Sequence, residues 1–307
     1  MTEITIICGT TGSGKTALAL KMARDKPTSI ISADSRQVYE GLDIITGKDI
    51  PEGFIKEESN LFFNSRKVIF YSSPPIRLLG FNLLKPNESF NAAEFVDLTN
   101  QIIQKETGGN RQVIIVGGTG FYLKALTQPQ TLAQVAPDET LREELSALSV
   151  EKLQQRLWEV NPQKFLSLND SDIKNPRRLT RAIEIGLSPP ILNRSNPELV
   201  EGEVKYKWLG LRLPLEVLKQ KINARVIVRV NSGAVSEVEK LLKEYPDRNL
   251  PIYTSLGVKP IIEYLDGKIS KEKLIENWTT DEVNYAKRQI TWFKKQPQIS
   301  PILTPEV

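Results

Sequence analysis

Thirteen residues near the start constrain this chain more than any other feature. The apolar run ITIIC (4–8) leads directly into GTTGSGKT (9–16), and a helical pattern follows from Lys15 to about Arg24. The loop fits G-x-x-x-x-G-K-[ST], a nucleotide-type phosphate-binding loop. Gly9, Thr11, Gly12, Ser13, Gly14, Lys15 and Thr16 are therefore the candidate phosphate ligands. Glycines at these positions let the backbone curl until several N–H groups point into one concavity. The helix that follows adds its positive N-terminal end, the lysine reaches a terminal phosphate, and the Thr16 hydroxyl suits Mg²⁺. A strand, a tight loop and a helix in this order are the opening of an α/β fold, and continued alternation would make its sheet parallel.

The rest of the chain excludes much other chemistry. None of the 307 residues is histidine and only one, Cys8, is cysteine. Cys/His zinc sites, Ser-His-Asp triads and histidine general bases are thus ruled out together. Acid–base work falls to Asp, Glu, Lys or Tyr, unless water or substrate supplies it. Cys8 sits inside the first apolar run and reads as a small buried hydrophobe. No apolar run approaches the roughly 18 residues of a membrane span, and the N-terminus opens as a strand, so a cytoplasmic protein is expected. Residues 204–307 alone carry a net +6 against +4 for the whole chain, a weak pointer to nucleic acid.

Alternation of β-rich runs and helical patterns continues through SIIS, AAEFVDLTNQIIQ and QVIIVGG. It predicts a P-loop NTPase-like parallel sheet covered on both faces, with NLFFNSRKVIFY as an added hairpin. From residue 127 the texture turns to helices and loops until the strand-like KYKWLGLRL. Residues 127–203 are therefore expected to form a helical insertion, left through the linker LSPPILNRSNPELVEGE. Residues 1–126 and 204–307 make up the core.

Two further strand ends bear on the ligand. SIISADSRQVY delivers Asp34 to the carboxyl edge of the sheet, where ligands of such sheets sit. GGTGFYLKAL places Thr119 at a third strand-to-helix corner on the same edge. A GTPase would offer N-K-x-D and D-x-x-G, and neither occurs. A kinase usually ends a strand with a magnesium-ordering Asp, whereas QVIIVGG ends in two glycines. Phosphate on one side and a carboxylate on the other is a transferase layout. An ATP-dependent small-molecule kinase and a nucleotide-gated RNA-binding protein remain open at this point.

In order along the chain stand GTTGSGKT, ADSRQVYEGLDIITGK, FNAAEF, VIIVGGTGFYLKAL, NPRRLTRAIEI and YAKRQITWF. In this combination the chain resembles the tRNA dimethylallyltransferases, also called tRNA isopentenyltransferases, from about residue 4 to residue 296. The resemblance implies a prenyltransferase. Its phosphate loop grips dimethylallyl diphosphate with Mg²⁺, and the five-carbon group passes to N6 of the adenosine just 3′ of the anticodon, position 37. It also implies a tRNA anticodon stem–loop as partner, and the chain is expected to act as a monomer.

Residue by residue, the resemblance makes Asp34 the group that accepts or orients the N6 proton. Thr119 contacts the base or the same nitrogen, and Arg225 lies near the diphosphate. Ser35, Arg36 and Gln37 match a stretch that touches tRNA, and the insertion matches a helical domain that closes over the stem–loop.

On the helical pattern of TTDEVNYAKRQITWFKK, Val283, Ala286, Ile290 and Phe293 fall on one inward face. Lys287, Arg288, Gln289, Trp292 and Lys294 are then expected to face RNA, basic groups interleaved with an aromatic. Arg177, Arg178 and Arg181 form a second basic cluster, inside an otherwise acidic segment. Three departures from the family pattern stand out. Val258 replaces an aromatic residue, Glu282-Val283 stands where Thr-Arg is common, and a histidine pair near IRLLGFNLLKPNESF is missing. They bear on individual RNA contacts rather than on the diphosphate site.

Overall fold

The computed structural model describes residues 2–129, 135, 137–188 and 204–303. Most of the expected exit linker lies outside the described residues. The chain divides into two compact units, one of residues Met1–Pro129 with Leu199–Val307 and one of Gln130–Glu198.

The larger unit is built on β1 (Thr2–Gly9), α1 (Lys15–Met22), β2 (Thr28–Ser32), α2 (Asp43–Thr46), β3 (Ile55–Phe63), β4 (Arg66–Ser73) and β5 (Ile76–Leu79). There follow α3 (Ala92–Gly108), β6 (Gln112–Gly117) and α4 (Gly120–Thr127). The eight strands of its sheet run β3-β4-β5-β2-β6-β1, then β7 (Val204–Arg212) and β8 (Ser300–Leu303). From β5 to β8 every pairing is parallel, and β3-β4-β5 pair antiparallel. The fold is thus α/β with a parallel P-loop core, as the alternation of patterns predicts.

The central strands read as unbroken apolar runs because both sheet faces are covered. Ile4, Ile6, Ile7 and Cys8 of β1 and Ile114 and Ile115 of β6 are all fully buried. Beside them α1 packs Ala19 and Ala23 over Ile7, Ile30, Leu78 and Ile114. The expected hairpin is β3-β4, with Asn64 and Ser65 at φ 47° and 61° forming a two-residue turn. Paired positive φ values match the right-handed twist of the flanking strands. The motif FNAAEF proves to be a helix start: Asn91 accepts from the N–H groups of Ala93 and Glu94, and Glu94 accepts in return from the Asn91 N–H at 2.8 Å. That reciprocal capping box fixes where α3 begins.

After β7 the unit continues through α9 (Leu215–Asn231), α10 (Ala234–Glu244), a 3₁₀ turn at Pro251–Thr254, α11 (Val258–Leu265) and α12 (Lys271–Phe293). Trp278 of α12 is fully buried against Gly257, where a methyl group would fall on the indole. Val258, which lacks the aromatic ring of the family pattern, is buried in the same region.

The smaller unit is helical: α5 (Glu139–Ser146), α6 (Val150–Val160), α7 (Pro162–Leu166) and α8 (Pro176–Leu187). Asp138, Ser149, Asn161 and Asn175 each cap a helix through the side chain, and Pro162 and Pro176 occupy first-turn positions. Leu145, Leu153, Leu157, Leu179, Ala182 and Ile183 form a core of its own. A buried carboxylate, Glu184, ties it together by accepting from Arg142 Nε at 2.7 Å and Arg181 Nη1 at 3.0 Å. Burial opposes its charge, yet Arg142, the Asp138 N–H and Arg181 together hold its pKa below the usual carboxylate range.

Candidate active site

Where β1 ends, the chain must turn within a few residues to enter α1. Gly9 has no room for a side chain, since a methyl group there would sit 2.6 Å from the Leu211 carbonyl oxygen. Gly12 and Gly14 adopt φ 74° and 87°, values that favour glycine. The loop opens onto a cavity of about 690 Å³ lined wholly by the larger unit. Thr11, Gly12, Gly14, Lys15 and Thr16 contribute from the loop; Asp34, Ser35, Arg36 and Gln37 come from the end of β2. Gly117 ends β6 and Gly118 follows it, while Arg225 and Arg229 of α9 and Glu282, Tyr285, Arg288 and Gln289 of α12 add to the wall.

Lys15 Nζ donates to the Thr10 carbonyl oxygen at 2.7 Å. Burial and the nearby Arg225 cation push its pKa down to about 8, against the opposing pull of Asp34. The hydroxyls of Thr10 and Ser13 are buried without a hydrogen-bond partner among the described residues. Asp34 is half-buried, and its Oδ1 accepts from the Arg36 N–H at 2.8 Å, which fixes the carboxylate at the cavity edge. The Thr119 hydroxyl is buried, makes no cap bond to α4, and has no partner among the described residues. Beside it lies Tyr285, whose phenol is pushed up to about 12 by burial and the Asp34 charge.

The structure therefore brings Lys15, Thr16, Asp34 and Arg225 to one cavity. Other expected site residues are engaged within the protein. Gln37 accepts from Ser32 Oγ at 2.6 Å and donates to the Gly47 carbonyl oxygen at 2.7 Å. Arg36 donates to the Pro251 carbonyl oxygen and to Thr254 Oγ1, both at 2.7 Å. Gln289, grouped above with the RNA-facing residues, is buried and both ends of its amide are taken. Its Oε1 accepts from the Thr11 N–H at 2.8 Å, and its Nε2 donates to the Gly118 carbonyl oxygen at 2.9 Å. Trp292 is half-buried against Gly120, where a methyl group would sit 2.5 Å from the indole.

Lys287, Arg288 and Lys294 are exposed on α12, with the Arg288 guanidinium 5.6 Å from the Tyr285 ring centroid. In the smaller unit Arg177 is exposed, Arg178 pairs with Asp172, and Arg181 is bound to Glu184 and the Val135 carbonyl oxygen.

Sequence reasoning missed Glu282, Tyr285 and Gln289 as cavity-wall residues. With Ala286 they make one stripe of α12 at positions i, i+3, i+4 and i+7. That polar stripe beside an apolar face was the available signal.

A P-loop α/β protein whose phosphate cavity is closed by arginines and faced by a strand-end carboxylate is the class that fold and site define. The family model described as IPP transferase matches residues 74–296, and that described as isopentenyl transferase matches residues 2–69. The tRNA dimethylallyltransferase of Endomicrobium trichonymphae is 32% identical over 302 residues, covering 97% of this chain and 93% of its own. That of Clostridioides difficile is 33% identical, covering 94% and 88%. The crystal structure of the full-length tRNA isopentenylpyrophosphate transferase from Bacillus halodurans is similar at TM-score 0.65 and 27% identity, covering 99% of this chain and 90% of that one. A eukaryotic dimethylallyltransferase acting on tRNA shares the fold at TM-score 0.72 and 21% identity, covering 99% of this chain and 74% of that one. This chain belongs to the tRNA dimethylallyltransferase family.

Proposed function

We propose that the protein transfers the dimethylallyl group of dimethylallyl diphosphate to N6 of the adenosine just 3′ of the tRNA anticodon. One observation carries the reading: the phosphate loop with Lys15 and the carboxylate of Asp34 open onto the same cavity. Family membership favours prenyl transfer over the kinase alternative.

In the reaction the donor's C1–O bond breaks and its electron pair moves to the bridging oxygen of the departing diphosphate. The N6 lone pair forms the new bond to C1, and one N6 proton leaves. Lys15, the loop N–H groups and Arg225 face the oxygen that gains charge, and preorganised donors act most strongly where charge develops. Asp34, held by the Arg36 N–H, accepts the proton. Thr119, whose hydroxyl is buried beside the Tyr285 phenol, is the residue that would contact the base. An adenine stacked in a loop cannot reach these groups, so it must leave the stack and enter the cavity.

Mg²⁺ fits this site as a companion of the donor. No cluster of three or more Asp, Glu, Cys or His side chains able to hold a metal exists among the described residues. Thr16 and the donor's own phosphate oxygens would hold the ion, the usual mode for magnesium at phosphates. When bound it neutralises charge on the leaving diphosphate.

In the same reading Lys287, Arg288 and Lys294, with Arg177 and Arg178 of the helical unit, neutralise phosphates of the anticodon stem–loop. The enzyme acts as a cytoplasmic monomer. The test is incubation with labelled dimethylallyl diphosphate, Mg²⁺ and unmodified tRNA, followed by digestion to nucleosides. Label on a prenylated adenosine supports the reading, and phosphorylation of a small metabolite from ATP would replace it with the kinase.

A further inference from the structure

We propose that Glu282 is a positioning residue of the diphosphate site, holding Arg225 against the phosphate loop. Glu282 projects from α12 with its side chain only 3% exposed. Its Oε2 accepts from Arg225 Nη2, and its Oε1 accepts from Arg229 Nη1 at 3.0 Å. The same Arg225 Nη2 also donates to Thr11 Oγ1, and Thr11 in turn lies 3.4 Å from Glu282 Oε2. One carboxylate thus joins two arginines of α9 to the third residue of the phosphate loop.

The sequence pattern marks position 282 as a departure, with a carboxylate where Thr is common. Its surroundings explain what a carboxylate does there. Arg229 is 8% exposed and lies over Gly47, where a methyl group would collide with the guanidinium. Arg225 is 26% exposed and its charge already lowers the pKa of Lys15. Three cations this close need a fixed counter-charge, or the arginines turn away to solvent. The Nε atoms of both arginines are buried without partners among the described residues. Glu282 engages Nη1 of Arg229 and Nη2 of Arg225 and leaves the opposite Nη of each for phosphate oxygens.

Two effects compete when the carboxylate is removed. One negative charge near the diphosphate disappears, which favours binding. Arg225 loses its fixed orientation and its link to Thr11, which opposes binding. The proposal holds that orientation wins, because a hydrogen bond to a charged partner is worth more than a repulsion already neutralised by two guanidiniums.

This inference rests on the diphosphate reading of the cavity, and the experiment separates the two. The probe is inorganic pyrophosphate with Mg²⁺, titrated calorimetrically into the folded protein without tRNA. Glu282→Gln is measured in the wild-type background and in an Arg225→Gln background. The expected result is an affinity loss of about tenfold in the first and less than about twofold in the second, since interacting residues are non-additive. In steady-state transfer the donor KM should rise by the larger factor and kcat fall by the smaller. Equal losses in both backgrounds, unchanged affinity, or tighter binding would overturn the proposal. If Glu282→Gln unfolds, Glu282→Asp keeps the charge but shortens the reach, and the same comparison applies. Wild-type protein that binds no pyrophosphate would overturn the diphosphate reading itself.

Discussion

The Gln289 amide lies so close to Gly118 that a methyl group on Gly118 would overlap the Gln289 Nε2 atom. This contact carries a clamp: through Gln289 the Thr11 N–H of the phosphate loop is joined to the Gly118 carbonyl oxygen at the end of β6. Gln289→Ala should leave both backbone groups unpaired, at a cost of about 1–3 kcal/mol for the buried Gly118 carbonyl oxygen if water does not replace the amide, and less for the part-buried Thr11 N–H. Gly118→Ala should displace Gln289 and reproduce much of that loss. Thermal melts with and without pyrophosphate check both, and the double variant should be no worse than the weaker single. A Gly118→Ala protein with wild-type stability and affinity would contradict the clamp.

Lys15 sets a pH dependence. Its pKa in the folded protein is pushed down to about 8 by burial and Arg225. A diphosphate binds the protonated lysine better, so donor affinity should fall as pH rises through about 8, by up to about tenfold per unit. The phosphates themselves are deprotonated well below that range. Lys15→Arg keeps the charge and should flatten the profile. Stability of the empty protein changes with the opposite sign. The unfolded lysine holds its proton up to about 10.5 while the folded one releases it near 8. Stability from this group therefore rises with pH across that window. A profile identical in wild type and Lys15→Arg would remove Lys15 from the donor's phosphates.

The three arginines of α8 should separate into two behaviours. Arg177 is exposed and Arg178 is exposed though paired with Asp172, whereas Arg181 is bound to the buried Glu184 and to the Val135 carbonyl oxygen. Arg177→Ala and Arg178→Ala should each reduce the log–log salt slope of tRNA binding by about 0.7–0.9. Arg181→Ala should lower the melting temperature of the helical unit and leave the slope nearly intact. If Arg181→Ala changes the slope as much as the other two, its ion pair opens on RNA binding.

The phosphate loop was legible because glycine spacing is a backbone requirement that no distant residue can supply. Asp34 was legible because an apolar run ending in an acid, in a chain built of strand–helix alternation, points to the sheet's carboxyl edge. Strands β5 and β8 were missed, being only four residues each and too short to show a period. Glu282 and Gln289 were hidden for another reason. Their partners Arg225, Arg229, Thr11 and Gly118 lie between 53 and 278 residues away. A polar side chain on a helix looks the same in sequence whether it meets water or a buried N–H. The inward face of α12 was drawn through Val283 and Ala286, and the structure widens it by one polar stripe. Glu282, a departure expected to bear on RNA contacts rather than on the diphosphate site, is a buried counter-charge.

The central claim is that Asp34 manages the N6 proton on the same cavity in which the phosphate loop holds the donor. Asp34→Asn keeps the shape and one acceptor oxygen for the Arg36 N–H, and loses the charge and basicity. General-base catalysis contributes about 10²–10⁴-fold, so the rate of transfer should fall by at least about a hundredfold while both substrates still bind. The measurement is single-turnover prenyl transfer to unmodified tRNA at saturating donor and Mg²⁺, with the product nucleoside identified and binding of each substrate checked separately. Wild type should give N6-prenylated adenosine just 3′ of the anticodon, and Asp34→Asn should form the same product at least about a hundredfold more slowly. Wild type that prenylates no tRNA, or an Asn variant within a few-fold of wild type, would contradict it.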